Sequence, residues 1–349
     1  MQSVFSSKHS MKFTRSKSLT FFNNKGGVGK TTLAYNCAVS FAKKGYKVCL
    51  VDLDPQCNLT RLSVSDGQFQ TSLFSDNNKT IYTIISGIVT AKSDVDLSIK
   101  PEILLNGGGN LYLVRGDQRL SNYDDLLASF YAQAAGGVEA GYRQTSAISR
   151  YIKNLGLEES FDIFVFDTSP TLGSLNKIIL LDTDYFVVPV NPDAFSLQGI
   201  ENLGMKLEEW KKNWKNTGQA LAAKMSSELV LKGEGLFIGY ILNSYNVYAK
   251  KFIKDHNIWA EKIPEKVKYF LSEKHSKNGL VAKSSESALG NIQDYGLIPA
   301  KCQDISSAIF DLDPEIASSL NLGTKENLEK AKIEFEELSD NILGVLDKY

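Results

Sequence analysis

Lys25-Gly26-Gly27-Val28-Gly29-Lys30-Thr31-Thr32 is the stretch on which the fold turns. Glycines at 26, 27 and 29 keep side chains out of a tight loop, so that main-chain N–H groups can turn inward toward an anion. A helix starts directly after them, and its amino end adds further unpaired N–H groups and a partial positive charge. A loop of this kind grips phosphates. Lys30 is placed to reach the β and γ phosphates of a nucleoside triphosphate, the Thr31 hydroxyl is a natural ligand for Mg²⁺, and Thr32 would bond an α-phosphate oxygen. The usual G-x-x-x-x-G-K-[ST] pattern fails at its first position, where Asn24 stands, and an additional lysine, Lys25, follows it.

Outward from the loop, Leu19 to Phe22 reads as a short apolar strand. Thr31 to Lys44 carries Leu33, Ala34, Cys37, Ala38 and Phe41 at helical spacing, with Gly45 as its C-cap. Lys47 to Val51 is a second strand, ending at Asp52, and the unit is therefore βαβ. Three more apolar runs follow the same grammar: Phe161 to Phe166 ending at Asp167, Tyr185 to Val190, and Leu236 to Leu242 ending at Asn243. Strands buried on both faces look like this. The predicted fold is α/β, a doubly wound, mostly parallel sheet with helices on both faces. Ligands bind beyond the carboxyl ends of such strands, which aims Asp52, Asp167 and Asn243 at one crevice.

The expected organisation is a mobile tail over residues 1–17, one domain over 18–323 and a terminal amphipathic helix over 324–349. Insertions are expected near 63–110 and 123–155, and Gly107-Gly108-Gly109 reads as a turn because no Lys-Thr follows it. The last helix is capped by Thr324 and spaces Leu328, Ala331, Phe335, Leu338, Ile342 and Val345 by threes and fours, a face that packs on its own domain or, as the alternative, binds a partner.

With 349 residues, 43% of them hydrophobic, the chain can bury a sizeable core. Its 39 Lys and Arg nearly balance 40 Asp and Glu, so any nucleic-acid or membrane binding must come from local patches. The four cysteines form no C-x-x-C pair, which argues against a zinc site and for reduced thiols. The amino end lacks the apolar run of a signal peptide, and the expectation is a cytoplasmic protein that does not engage a membrane.

Phe21 to Thr32 resembles the deviant Walker A ATPases of the ParA/MinD type, whose mark is Lys-Gly-Gly-x-Gly-Lys-Thr with that additional lysine. The likeness continues at Asp52-Leu53-Asp54-Pro55-Gln56, similar to the family's D-x-D-P-Q, and at Asp167-Thr168-Ser169-Pro170, where Ser169 replaces a proline of the family's D-x-P-P. It implies ATP and Mg²⁺, with the phosphates held by Lys25, Gly26, Gly27, Val28, Gly29, Lys30, Thr31 and Thr32. It further implies a homodimer formed on ATP binding, in which Lys25 reaches the phosphates of the other subunit. Asp54 would orient the attacking water, Asp167 would meet Mg²⁺ through water, and Asp52 would brace the Mg²⁺ hydration shell or the loop. Val188 to Gly199 is similar to the family's dimer-face segment, and Ile292 to Tyr295 and Ile309 to Leu312 to its closing segments. Asn243 falls where relatives contact adenine, although an Asn there is also an ordinary turn residue.

In such relatives a partner protein stimulates hydrolysis and the ATP dimer binds DNA without sequence preference. Residues 201–280 carry 14 Lys against 9 Asp and Glu, with clusters at Lys211, Lys212, Lys215 and at Lys250, Lys251, Lys254. Positive charge is what phosphate contact needs. Yet no Arg follows Arg150, whereas family members commonly use arginines there. A switch acting on DNA and a switch acting on a protein partner therefore both stand as readings.

Overall fold

A computed structural model describes residues 11–74, 79–245, 252–276, 288–295, 298–313, 315 and 325–348. Among the described residues, eight strands form one sheet: β1 (Lys17–Phe21), β2 (Val48–Leu53), β3 (Glu102–Leu104), β4 (Leu111–Val114), β5 (Ile163–Thr168), β6 (Tyr185–Val190), β7 (Leu236–Tyr245) and β8 (Gly290–Gln293). Their spatial order is β3-β4-β2-β5-β1-β6-β7-β8. Every neighbouring pair is parallel except β3 with β4. The fold class is the one expected.

Helices cover both faces because the strands alternate their apolar side chains between them. In β2, Val48 and Leu50 join a core with α1 (Lys30–Lys43), while Cys49, Val51 and Leu53 join the opposite core with α4 (Ile81–Val89), α5 (Leu120–Ala135), α7 (Ala147–Glu159), α8 (Ser174–Asp182) and α9 (Ala194–Trp214). Helices α2 (Asn58–Ser63), α3 (Asp66–Phe74) and α6 (Glu139–Thr145) lie between these elements in the chain.

The terminal helix Lys325–Leu346 lays Leu328, Ala331, Phe335, Leu338 and Ile342 against α1 and β8. Its expected cap, Thr324, lies outside the described residues. Residues 11–17 differ from the mobile tail read in the sequence: Phe13 stacks on Tyr46, the Lys12 N–H donates to Asp162 Oδ1 at 2.5 Å, and Lys17 already opens β1. The stretches read as insertions supply α3, α4, β3, most of α5, all of α6 and most of α7, and Gly107 to Gly109 form a turn.

The path of the chain fixes where a ligand can sit. From β1 it moves through α1 to β2 on one side, and from β5 it crosses over β1 to reach β6 on the other. The winding reverses at β1, and the crevice opens at that strand's carboxyl end, where the glycine loop begins.

Candidate functional site

The loop leaves β1 at Phe21 and enters α1 at Lys30. Gly27 and Gly29 have φ of 73° and 80°, the left-handed region that side-chain-bearing residues avoid. At Gly29 a Cβ would also lie 2.3 Å from Asn243 Nδ2. That amide donates to the Val28 carbonyl at 2.9 Å, so Asn243, at the carboxyl end of β7, props the loop from below. At Gly26 and Gly27 a Cβ would meet nothing within 4 Å, and the space above the loop is open. Gly29 caps α1 without a side-chain hydrogen bond, leaving the first-turn N–H groups of Lys30, Thr31 and Thr32 without intrahelical acceptors.

Three carboxylates gather beside this helix end. Asp52 and Asp167 are register neighbours on β2 and β5, and both are fully buried. Burial pushes the Asp52 carboxyl up to about 7, against the pull of the Thr60 hydroxyl, the Thr60 N–H and the Asp54 N–H. Its Oδ2 accepts from Thr60 Oγ1 at 2.6 Å and Thr60 N at 2.8 Å, and its Oδ1 from Asp54 N at 3.2 Å. Both oxygens are thus taken up by the turn after β2, an arrangement that braces the loop. Gly116 packs on this carboxyl so closely that a Cβ would come within 2.7 Å of it.

Asp167 is different. Its Oδ2 accepts from the Thr31 hydroxyl at 2.7 Å, while its Oδ1 is buried without a partner. Burial, followed by the neighbouring Asp52 charge, pushes this carboxyl up to about 8; Thr31 and Lys30 oppose the shift. Lys30 is 8% exposed, and burial lowers its ammonium below the usual lysine range against the attraction of Asp167 and Asp54. Its Nζ donates to the Lys25 carbonyl at 3.4 Å. Asp54 is buried with Oδ1 accepting from Gln56 N at 2.9 Å.

The other lysine is held by a different partner. Lys25 Nζ pairs with Asp193, the N-cap of α9, whose Oδ1 accepts from Ser196 N at 2.9 Å. The Lys25 N–H donates to Asn23 Oδ1 at 3.0 Å, and Asn23 Nδ2 donates to the Pro189 carbonyl at 2.6 Å. Ser169, which stands in place of the first proline of D-x-P-P, is tied down by Asn176: the amide donates to the Ser169 carbonyl at 2.9 Å and to the Thr171 carbonyl at 2.7 Å. Asp124 of α5 accepts from Leu175 N at 2.6 Å and supplies the cap that α8 lacks in its own sequence. No role follows from the sequence for Asn23, Asp124 or Asn176, and Asp193 is marked there only as part of the segment similar to the family's dimer face. Their partners lie 51, 5 to 7 or 166 to 168 residues away, and only Asp193 had a local signal, as a cap before a helix.

The lysine clusters separate. Lys212 and Lys215 are exposed, but Lys211 turns inward and donates to the Gly235 carbonyl at 2.5 Å, with burial lowering its ammonium to about 8. Lys250, Lys251 and the Lys254 side chain lie outside the described residues. Among the described residues, no group of three or more His, Cys, Asp or Glu could hold a metal by itself, and no helix is long and apolar enough to cross a membrane.

A glycine loop at a topological switch point, a helix end above it and a Thr–Asp pair beside it define a P-loop nucleotide site. The family described as AAA domain matches residues 16–220, more than half of the chain. The protein belongs to that family and, within it, to the ParA/MinD-type P-loop ATPases.

An uncharacterised protein of Methanocaldococcus jannaschii is 29% identical over 197 residues, covering 56% of this chain and 66% of its own length. The sporulation initiation inhibitor protein Soj of Bacillus subtilis is 24% identical over 269 residues, 75% of this chain and 89% of Soj. The match thus spans somewhat under two thirds of the first relative and most of the second. Among solved structures, protein DIP2308 of Corynebacterium diphtheriae shares the fold with a TM-score of 0.67 at 24% identity, covering 95% of this chain and 98% of that one.

Proposed function

We propose that the protein binds Mg-ATP in the glycine loop, pairs two subunits across the bound nucleotides and hydrolyses ATP as a timed switch in partner binding. The observation that carries this reading is the pair at the loop's mouth. The Thr31 hydroxyl is held 2.7 Å from one Asp167 oxygen while the other oxygen is buried with no partner. A buried carboxylate oxygen left unsatisfied is costly, and a hydrated cation bound beside it would remove the penalty.

Thr31 would hold Mg²⁺ directly and Asp167 through water, which suits an ion that keeps several waters and takes few protein ligands. Bound there, Mg²⁺ would neutralise charge on the phosphate oxygens. The chain's own groups do the rest. Main-chain N–H groups from Gly26 to Thr32 orient the phosphates, Lys30 contributes a cation from within the subunit, and Lys25 contributes a second to the neighbouring subunit's phosphates. Asp54, braced by its turn, orients the water that attacks the γ phosphorus as the bond to the ADP oxygen breaks. Loss of the γ-phosphate dissolves the pairing and resets partner affinity.

Binding of a fluorescent ATP analogue to Lys30→Ala tests the loop assignment. Removing one member of a desolvated charge pair costs about 2–5 kcal/mol, so affinity should fall at least roughly 30-fold. Wild-type affinity in that variant would refute the assignment. Light scattering with and without a non-hydrolysable ATP analogue tests the pairing, and a monomer at saturating analogue would refute it.

The family acts in partition and in positioning, and for this chain the cargo is DNA or a protein partner. Exposed Lys212 and Lys215 favour DNA as the surface the ATP dimer holds, with a protein activator setting the hydrolysis rate. An ATP-dependent gel shift that weakens as salt rises supports this; no shift at low salt leaves the protein-partner reading.

A further inference from the structure

Lys25 is fastened within its own subunit at two levels. Its backbone is bound through Asn23 to β6, just before the turn that joins that strand to α9, because Asn23 Oδ1 accepts the Lys25 N–H at 3.0 Å while Asn23 Nδ2 donates to the Pro189 carbonyl at 2.6 Å. Its ammonium is paired with Asp193 Oδ2 from the far end of the same turn. Asp193 divides its carboxylate, giving Oδ2 to the lysine and Oδ1 to Ser196 N as the cap of α9.

The surroundings of this pair are unfinished. Asn191 Oδ1 and Asn24 Oδ1 are buried within the same junction with no hydrogen-bond partner, and Phe195, in the first turn of α9, is 73% exposed. The side chains of Lys25 and Asp193 are 27% and 33% exposed. An ion pair so close to water is weak, and a triphosphate offers the lysine far more negative charge than one carboxylate.

We infer that Asp193 is the resting counter-ion of Lys25, a positioning residue that keeps the lysine folded against its own subunit until the phosphates of a second copy draw it away. This rests on the proposed pairing across nucleotides and adds a gate to it. A dimer forms only by opening two Lys25–Asp193 pairs, so each pair opposes assembly and restores the monomer once the γ-phosphate is gone. The cap on α9 survives the opening, since it uses the other carboxylate oxygen.

The experiment is a double-mutant cycle on the full chain, reading the dimerisation constant by light scattering with a non-hydrolysable ATP analogue. Asp193→Asn removes the charge and keeps the cap, because Asn caps helices as well as Asp does. Two exposed ion pairs are lost per dimer, so Asp193→Asn should tighten dimerisation roughly 2- to 30-fold. Against Lys25→Ala the same change should do nothing, since the pair is already gone.

Unchanged or weaker dimerisation of Asp193→Asn with Lys25 intact overturns the gate, and so does equal tightening in both backgrounds. A Lys25→Ala variant that dimerises like wild type instead removes the pairing proposal itself, so the two failures are separable. Asp193→Ala, which loses cap and charge together, serves as the folding control.

Discussion

The two ends of the sheet handle buried aspartates in opposite ways. At the amino end of β6, Asp184 is saturated: Oδ2 accepts from Ser18 N and Ser18 Oγ, both at 2.9 Å, and Oδ1 from Arg15 and Lys232, also at 2.9 Å. At the carboxyl end of β5, Asp167 has one hydroxyl on Oδ2 and nothing on Oδ1. Burial raises both carboxyls, but at Asp184 the Lys232 and Arg15 charges and the Ser18 N–H outweigh it and hold the group below the ordinary range, whereas Asp167 rises to about 8. Charges that serve the fold are closed within the chain. At the crevice Asp167 is left half open, at a cost to stability that a ligand can offset.

Asp184→Ala should break the saturated end most severely. It leaves the buried Ser18 N–H and hydroxyl without their acceptor, while Arg15 and Lys232, partly exposed, turn to water; the loss should be about 2 kcal/mol of unfolding free energy, read in urea. A loss below about 1 kcal/mol would show that saturation there is ornamental, given the usual cost of an unmade buried hydrogen bond.

Asp167→Asn should move stability the other way while abolishing function. The amide keeps an acceptor for Thr31 and cannot take on the charge that burial disfavours, so the melting temperature should hold, and rise above about pH 8, while Mg²⁺-dependent nucleotide binding is lost. A fall in melting temperature would mean that the open end is structural after all. The pH dependences should oppose each other too. Asp167, with its folded value raised, favours folding in acid; that contribution is full below the unfolded value of 3.8 and lost as pH rises through about 8. Asp184, with its folded value depressed, contributes above the ordinary carboxylate range and loses that contribution as pH falls through its lowered value. Urea unfolding of each variant across pH should show the two difference curves sloping in opposite directions.

The same contrast governs what could be read before the fold was known. The central strands were legible because each is an apolar run closed by a polar residue, and the site was legible because its loop is contiguous in sequence. The edge was not. β3 has three residues with Ile103 61% exposed, β4 has four, and β8 begins at a glycine, so none carries enough periodicity to stand out from a loop. The supporting polar residues were also hidden. Asn23 meets Pro189 and Lys25 meets Asp193 across 166 and 168 residues, and only the sheet's winding, which sets β1 beside β6, creates those contacts.

Asn243→Ala should have the smallest effect and sharpens the comparison most finely, because this residue belongs to the open end but is spent on the chain. Its Nδ2 donates to the Val28 carbonyl and lies where a Cβ on Gly29 would clash, so the amide fills the underside of the loop. A neutral hydrogen bond of this kind contributes about 0.5–1.5 kcal/mol, so nucleotide affinity should fall roughly 2- to 10-fold. If the amide acts through the loop, ATP and GTP should lose the same factor, since both carry the same phosphates. A loss confined to ATP would move Asn243 from the loop's support to the base, and the open end would then extend beyond the phosphates to the edge of β7.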